Sequence, residues 1–291
     1  MAALHVVDEV INDLDKNLVP LNIYLDLSKA FDTLDHNILL HKLQYYGVSE
    51  IELTFFKNYL SNRQQYVQMG TIKSTLENIQ TGVPQGSILG PLLFFIYIND
   101  IPYASKYFKI VTYADDTTLM TRLNLTELRQ TNEMTSCINL ELNKINEWLK
   151  LNRLSLNVVK SKFMMFHMPQ KKFSSLLLTI DNTQIERVTT FNFLGITLHE
   201  NLKWDAHVHH ISNKISRVIG IISRLKNYIP AHILLTLYNS LILPHLYYGI
   251  LMWGYHNTER IFRLQKKAIR VISNSAYNAH SEPLFKSLKK T

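Results

Sequence analysis

Tyr113-Ala114-Asp115-Asp116 sets two adjacent carboxylates where the flanking sequence favours a tight turn. The runs on either side, 108–113 (FKIVTY) and 117–121 (TTLMT), are rich in β-branched and aromatic residues. A hairpin with the acids at its tip is the expectation. Neighbouring carboxylates repel each other unless a cation or positive group is near. Asp26 lies in another run, 21–27 (LNIYLDL), where Ile23, Leu25 and Leu27 alternate with Asn22, Tyr24 and Asp26. That is the period of a strand. Taken with Asp115 and Asp116, Asp26 suggests a site for a divalent metal; a solvated acidic hairpin tip is the other reading.

The 291 residues suit two domains, or one domain with a sizeable appendage. With 46% hydrophobic and 19% charged residues, the chain can build a core and is not generally disordered. Its single cysteine, Cys137, excludes an internal disulfide and a cysteine-based metal cluster, and suits a reducing compartment. The acidic N-terminal stretch MAALHVVDEVINDLD has no continuous apolar core and does not read as a signal peptide. Two apolar stretches, 88–98 and 237–254, read as buried helix: the first is short, and the second carries Asn239, Ser240, Pro244 and His245. No membrane segment is expected, and the compartment is intracellular, nuclear or cytoplasmic. The Lys-Lys pairs at 171–172, 266–267 and 289–290 are too short to specify the nucleus.

The net charge of +8 conceals a division. Residues 1–149 hold 11 Lys and Arg against 17 Asp and Glu, or −6, while residues 150–291 hold 20 against 6, or +14. An acidic half needs cations and a basic half attracts polyanions, although basic domains also serve solubility.

Asp35 is placed to cap a helix running through Leu43, with Gly47 to end it, and 51–60 forms a second helical run. A hairpin turns near Gly70; the loop Gly82-Val83-Pro84-Gln85-Gly86 follows, with Ser87 opening a buried helix through Ile101. A long amphipathic pattern runs over 125–151 through Leu128, Met134, Ile138, Leu142, Ile145 and Leu149. Short strands are expected at 163–166, 176–180 and 193–198, and beyond Asp205 the pattern is wholly helical. The change from mixed to helical chain near residue 200 is the expected domain boundary.

Four blocks occur in order: Tyr24-Leu25-Asp26-Leu27-Ser28-Lys29-Ala30-Phe31-Asp32, Gly82-Val83-Pro84-Gln85-Gly86-Ser87, Tyr113-Ala114-Asp115-Asp116, and Leu154-Ser155-Leu156-Asn157-Val158-Val159-Lys160-Ser161. In this order and spacing the chain resembles the palm of reverse transcriptases, and more closely those of non-LTR (LINE-type) retrotransposons. Phe193-Leu194-Gly195 resembles the primer-grip block, and 237–285 resembles the helical region after the palm. The resemblance implies an α+β fold: a polymerase palm, an antiparallel sheet packed by helices, with a remnant of fingers over residues 1–200. An all-helical thumb-like region follows over 201–291. Little chain precedes Asp26, so the resemblance implies an N-terminal truncation with the fingers largely missing.

The activity implied is RNA-directed DNA polymerisation, using an RNA template, a DNA primer and deoxynucleoside triphosphates; protein partners are unknown. Joining a nucleotide to a 3′-hydroxyl needs charge stabilised on the attacking and leaving oxygens, which two Mg²⁺ ions roughly 3.5–4 Å apart can do; Mn²⁺ is a possible substitute. Mg²⁺ takes oxygen ligands, which Asp26, Asp115, Asp116 and the Leu27 carbonyl could supply. By the resemblance, Phe31 lies beneath the incoming sugar and excludes a 2′-hydroxyl, with core packing as its alternative. Gln85 and Gly86 meet the nascent pair and nucleotide, alongside Tyr113 of the acidic block; an ordinary helix-entry turn is the alternative. Lys160 matches a lysine that serves the leaving pyrophosphate, with Lys162 close enough to compete. Asp32 reads as a cap or a solvated acid rather than a ligand.

Three further features are weaker. His207, His209 and His210 form a cluster, but residues two apart do not share a helix face. Trp148, Trp204 and Trp253 read as core or domain-seam residues. Lys266, Lys267 and Arg270 could track phosphates or form a solvated basic face. A non-catalytic nucleic-acid-binding remnant is the alternative function, and an RNA polymerase with a related palm is a third, against which Phe31 argues.

Overall fold

The computed structural model describes residues 2–124, 131–170, 176–255 and 258–288. By its contacts the chain forms two units, one of Asn12–Val188 with Ala2, the other of Ala3–Ile11 with the chain from Thr189 onward. Helix α1 (Ala2–Asp15) therefore contributes to both.

In the first unit the elements run β1 (Val19–Leu25), β2 (Leu27–Ser28), α2 (His36–Tyr45), α3 (Glu50–Leu60), β3 (Arg63–Gln65), β4 (Gln68–Met69), β5 (Ile72–Lys73), β6 (Glu77–Ile79) and α4 (Leu89–Ile98). A 3₁₀ turn over Ile101–Tyr103 leads to β7 (Lys109–Tyr113), β8 (Asp116–Leu123), α5 (Thr131–Leu151), β9 (Ser155–Leu156), β10 (Lys162–Met165), β11 (Thr179–Ile180), β12 (Thr183–Gln184) and β13 (Glu186–Arg187). The main sheet has the order β13-β10-β1-β8-β7. It is antiparallel except at its edge, where the two-residue β13 runs parallel to β10.

β1 is the middle strand, with β8 and β10 on its two edges. It is buried along its whole length, Asn22 and Tyr24 included, so both faces are covered rather than alternate ones. Burial pushes the Tyr24 hydroxyl up, opposed by a hydrogen bond to Asn22. Around the sheet, Leu39 and Leu43 of α2, Leu93, Phe94 and Tyr97 of α4, and Ile138, Leu142, Ile145 and Leu149 of α5 close one core with Leu21 and Ile23. The amphipathic pattern thus packs as expected from Met134 onward; its start at 125–130 lies outside the described residues, as do Lys171, Lys172, Lys289 and Lys290.

The expected helix start at Asp35 is a side-chain cap: its carboxylate accepts from the N–H groups of Asn37 and Ile38. Gly47, at φ +91°, follows the helix end. α4 begins at Leu89 rather than Ser87, but the Ser87 hydroxyl still accepts from the Gly90 N–H at 2.9 Å.

The second unit opens with the hairpin β14 (Thr190–Phe193) and β15 (Ile196–His199), turning through Leu194 and Gly195 at φ +47° and +79°. Helices α6 (Asp205–Leu225), α7 (Ala231–Leu241), α8 (Leu243–Tyr247), α9 (Ile250–Trp253), α10 (Glu259–Ile272) and α11 (Ser281–Leu288) follow. The apolar stretch 237–254 is three helices, with Gly249 at φ +67° between the last two. Among the described residues no helix is long and apolar enough to cross a membrane.

Candidate active site

The β1–β8 ladder closes with Leu25 opposite Thr117, leaving Asp26 and Asp116 as the next residues on the paired strands. Directly opposed residues of an antiparallel pair share a face. The β7–β8 hairpin closes with Tyr113 opposite Asp116, so Ala114 and Asp115 make its turn. Ala114 sits at φ +51°, a left-handed conformation costly for a residue with a Cβ. The chain holds Asp115 and Asp116 at this tip by a strained alanine where a glycine would be relaxed.

Electrostatics records the gathering. The Asp116 carboxyl is raised above its usual range, first by partial burial, then by the charge of Asp115, then by that of Asp26. Removing positive counter-charge from such a site favours protonation, and a bound cation would reverse it. Among the described residues no three His, Cys, Asp or Glu side chains are arranged to hold an ion by themselves. The donor set nevertheless suits a hard cation, which accepts a few carboxylates plus substrate and water oxygens.

Asp26 is gripped by its backbone. Its N–H donates to the Ser161 hydroxyl at 3.2 Å, and its carbonyl accepts from the Asn157 N–H at 2.8 Å. Ser161, fully buried, donates in turn to the Asn157 carbonyl at 2.9 Å. Beside it, Leu27 pairs with Leu156 and Ser28 with Ser155 in the β2–β9 ladder. Asn157 and Ser161 therefore position Asp26, a role for which the sequence offers only their place in the fourth block.

Lys160 follows the same turn, its N–H donating to Asn157 Oδ1 at 3.2 Å while its side chain is exposed. Among the described residues its ammonium makes no ion pair. Lys162 is engaged instead, 2.7 Å from Glu186 and donating to the Val159 carbonyl. Lys162 thus has acceptors in place, where the Lys160 ammonium has none among the described residues.

Phe31 packs its half-buried ring against Phe94 of α4, centroids 4.6 Å apart and planes tilted by 32°. Its carbonyl accepts from the Val83 N–H, tying the first block to the second. At this junction the Gly82 N–H donates to the Leu34 carbonyl at 2.8 Å, and a Cβ on Gly82 would lie 2.7 Å from the Asp32 carbonyl oxygen. Gly86, by contrast, has open space where a Cβ would be, and its need is conformational, with φ at +80°. Gln85 is exposed and donates from Nε2 to the Asp32 carboxylate at 2.8 Å. Tyr113 is exposed as well.

A family model described as reverse transcriptase (RNA-dependent DNA polymerase) matches residues 9–198, a span containing the acid pair, the Asp26 strand and the Asn157–Ser161 turn. The chain belongs to the reverse transcriptase family. The RNA-directed DNA polymerase from mobile element jockey of Drosophila melanogaster is 27% identical over 280 residues, covering 91% of this chain and 30% of that protein. The probable RNA-directed DNA polymerase from transposon X-element of the same species is 26% identical over 302 residues, covering 98% and 32%. These relatives belong to non-LTR retrotransposons, as the resemblance implied. The chain spans about a third of their length. Among solved structures, apo telomerase from Candida tropicalis matches with a TM-score of 0.50 at 15% identity, covering 98% of this chain and 46% of that one. That likeness is one of fold, consistent with a polymerase palm.

The other sequence candidates fall elsewhere. Trp204 and Trp253 are fully buried in the second unit. The His207 ring lies edge-on to both, and its Nδ1 accepts from the Thr197 N–H at 3.2 Å. Burial, His210 and Lys214 push the His207 imidazole down to about 4. It is a core residue, while His209 contacts Asn213. Trp148 packs half-buried against the first unit's core under the Lys42 ammonium. Lys266 lies over the Phe262 ring at 4.1 Å.

Proposed function

We propose that this chain carries the polymerase centre of an RNA-directed DNA polymerase, adding deoxynucleotides to a primer 3′-end on an RNA template. The observation that carries the reading is the end of the β1–β8 ladder, where Asp26 and Asp116 follow the last opposed pair and Asp115 stands in the adjoining turn. Asp26, Asp115 and Asp116, with the Leu27 carbonyl, are the groups proposed to hold two Mg²⁺ ions, or Mn²⁺ in their place. When bound, such ions stabilise charge on the attacking and leaving oxygens of a phosphoryl transfer.

The chain's own residues do the rest. Asn157 and Ser161 hold Asp26 by its backbone, leaving its carboxylate uncommitted to the sheet. Lys160, with its free ammonium beside this turn, is proposed to meet the pyrophosphate as it leaves. Phe31, stiffened by Phe94, is proposed to close the pocket beneath the sugar and so select deoxynucleotides. Gln85, Gly86 and Tyr113 complete the nucleotide-contacting set. In this reading the first unit is the palm and the second a thumb-like region, and the protein works inside the cell. Primer extension with an RNA template and deoxynucleotides tests it: Asp115→Ala abolishes extension, and activity surviving that substitution refutes the site.

A further inference from the structure

Asp32 is clamped from several directions. Its carbonyl accepts from the Thr81 hydroxyl at 3.0 Å, its N–H donates to the Lys29 carbonyl at 2.9 Å, and Gly82 sits against its backbone without room for a Cβ. His36 Nε2, 2.8 Å from the Gly82 carbonyl, secures the same loop. The Asp32 backbone is thereby held in place, and its carboxylate takes the hydrogen bond from Gln85.

The chemistry of this bond decides which way the Gln85 amide faces. A carboxylate only accepts, so the group 2.8 Å away must be the amide nitrogen and not its oxygen. Oε1, which makes no hydrogen bond among the described residues, is left as an acceptor. Both residues line a cleft of about 780 Å³ with Lys29, Arg63, Gln65 and Thr81. Lys29 and Arg63 make no ion pair among the described residues, so the cleft offers cations for an anionic ligand and one oriented acceptor for its hydroxyl or amino donors.

We infer that Asp32 is the positioning residue for Gln85, fixing the amide so that Oε1 faces a nucleotide in this cleft. Without the carboxylate the amide rotates freely and presents donor and acceptor alike. Charge is not what the role requires: an asparagine at 32 still offers an accepting oxygen, whereas alanine offers none. The clamping contacts use the Asp32 backbone, so removing the carboxylate leaves them in place.

The effect on nucleotide use rests on the polymerase reading, and the test separates the two. Single-nucleotide incorporation is compared for the parent, Asp32→Ala, Asp32→Asn, Gln85→Ala and the double variant Asp32→Ala with Gln85→Ala. The side-chain amide spectra of the same proteins are recorded with isotope-labelled glutamine. Asp32→Ala should raise the nucleotide KM about three- to tenfold with a smaller change in kcat, the worth of one oriented hydrogen bond. Asp32→Asn should stay near the parent, and the double variant should match Gln85→Ala alone. An Asp32→Asn as impaired as Asp32→Ala, or single losses that multiply in the double variant, overturns the inference. Should the parent extend no primer, the polymerase reading falls and the spectra still decide. A shifted, faster-exchanging Gln85 amide in Asp32→Ala upholds the positioning role; an unchanged one overturns it.

Discussion

Replacing Asp35 by alanine removes the pin that sets the start of α2 beside the junction of the first two blocks. One carboxylate oxygen accepts from the N–H groups of Asn37 and Ile38 at 2.9 and 3.0 Å, and the other meets Arg153 at 2.5 Å. The residue is 6% exposed, so water does not readily replace the lost acceptor. A side-chain cap of this kind contributes about 1 kcal/mol, and up to about 2 kcal/mol when its donors are left buried. The Arg153 side chain is 70% exposed, so the ion pair is screened and adds no more than about 1 kcal/mol. Asp35→Ala should therefore cost about 1–3 kcal/mol. Asp35→Asn keeps an acceptor for the helix and loses only the charge, so it should cost less than about 1 kcal/mol. Urea unfolding followed by circular dichroism gives the midpoints, and amide exchange across 36–45 locates the loss. Equal destabilisation by the two substitutions would refute the capping account, because only the charge is common to both losses.

Gly82 and Gly86 have the same φ of +80° but different surroundings, so alanine should separate them. At Gly86 the cost is conformational, about 1 kcal/mol, whereas at Gly82 the collision with Asp32 should add at least about 1–2 kcal/mol more and disturb the loop. Melting temperatures of the two variants check this, and equal losses would contradict it. His207 makes a pH prediction. Its folded pKa is depressed from the ordinary 6.5 to about 4, so the unfolded chain binds the extra proton between those values. Stability is whole above pH 6.5 and declines as the pH falls toward 4, by up to about 3 kcal/mol from this group. Denaturant titrations across that range should show the slope, and His207→Gln, which keeps an acceptor for Thr197, should flatten it.

Much of this fold was legible because its signals are local. Asp35, Gly47 and the alternation around Ile23 each declare an element through their own chemistry, and the α5 stripe from Met134 to Leu149 declares its buried face. Other features depended on partners the local pattern does not name. Asn22 and Tyr24 are polar residues that alternation assigns to solvent, yet β1 is paired on both edges and covered on both faces. The stretch 245–254 carries helical hydropathy, but Gly249 breaks it, and a Cβ there would lie 2.6 Å from Ile196. The two glycines of the second block show the same limit: a spacing rule notices both, and only the folded backbone shows which one a neighbour crowds.

The candidate site obeys a similar division between what a side chain announces and what a backbone supplies. The acids of the third block announce themselves through their order relative to Asp26, Gln85 and Lys160, since an acidic turn alone is common. Asn157 and Ser161 do not, since small polar residues in a turn are commonplace. Yet without them the N–H and carbonyl of Asp26, just past the last opposed pair of the ladder, would have to find water or bend away. The fourth block is thus bound to the first by hydrogen bonds to Asp26 itself, and the second by Val83 to Phe31 and Gln85 to Asp32. The second and fourth blocks each hold residues of the first, through main-chain groups, the Ser161 hydroxyl and the Gln85 amide. A substitution at Ser161 should consequently weaken extension without touching a carboxylate, for the same reason that one at Asp32 should misdirect Gln85.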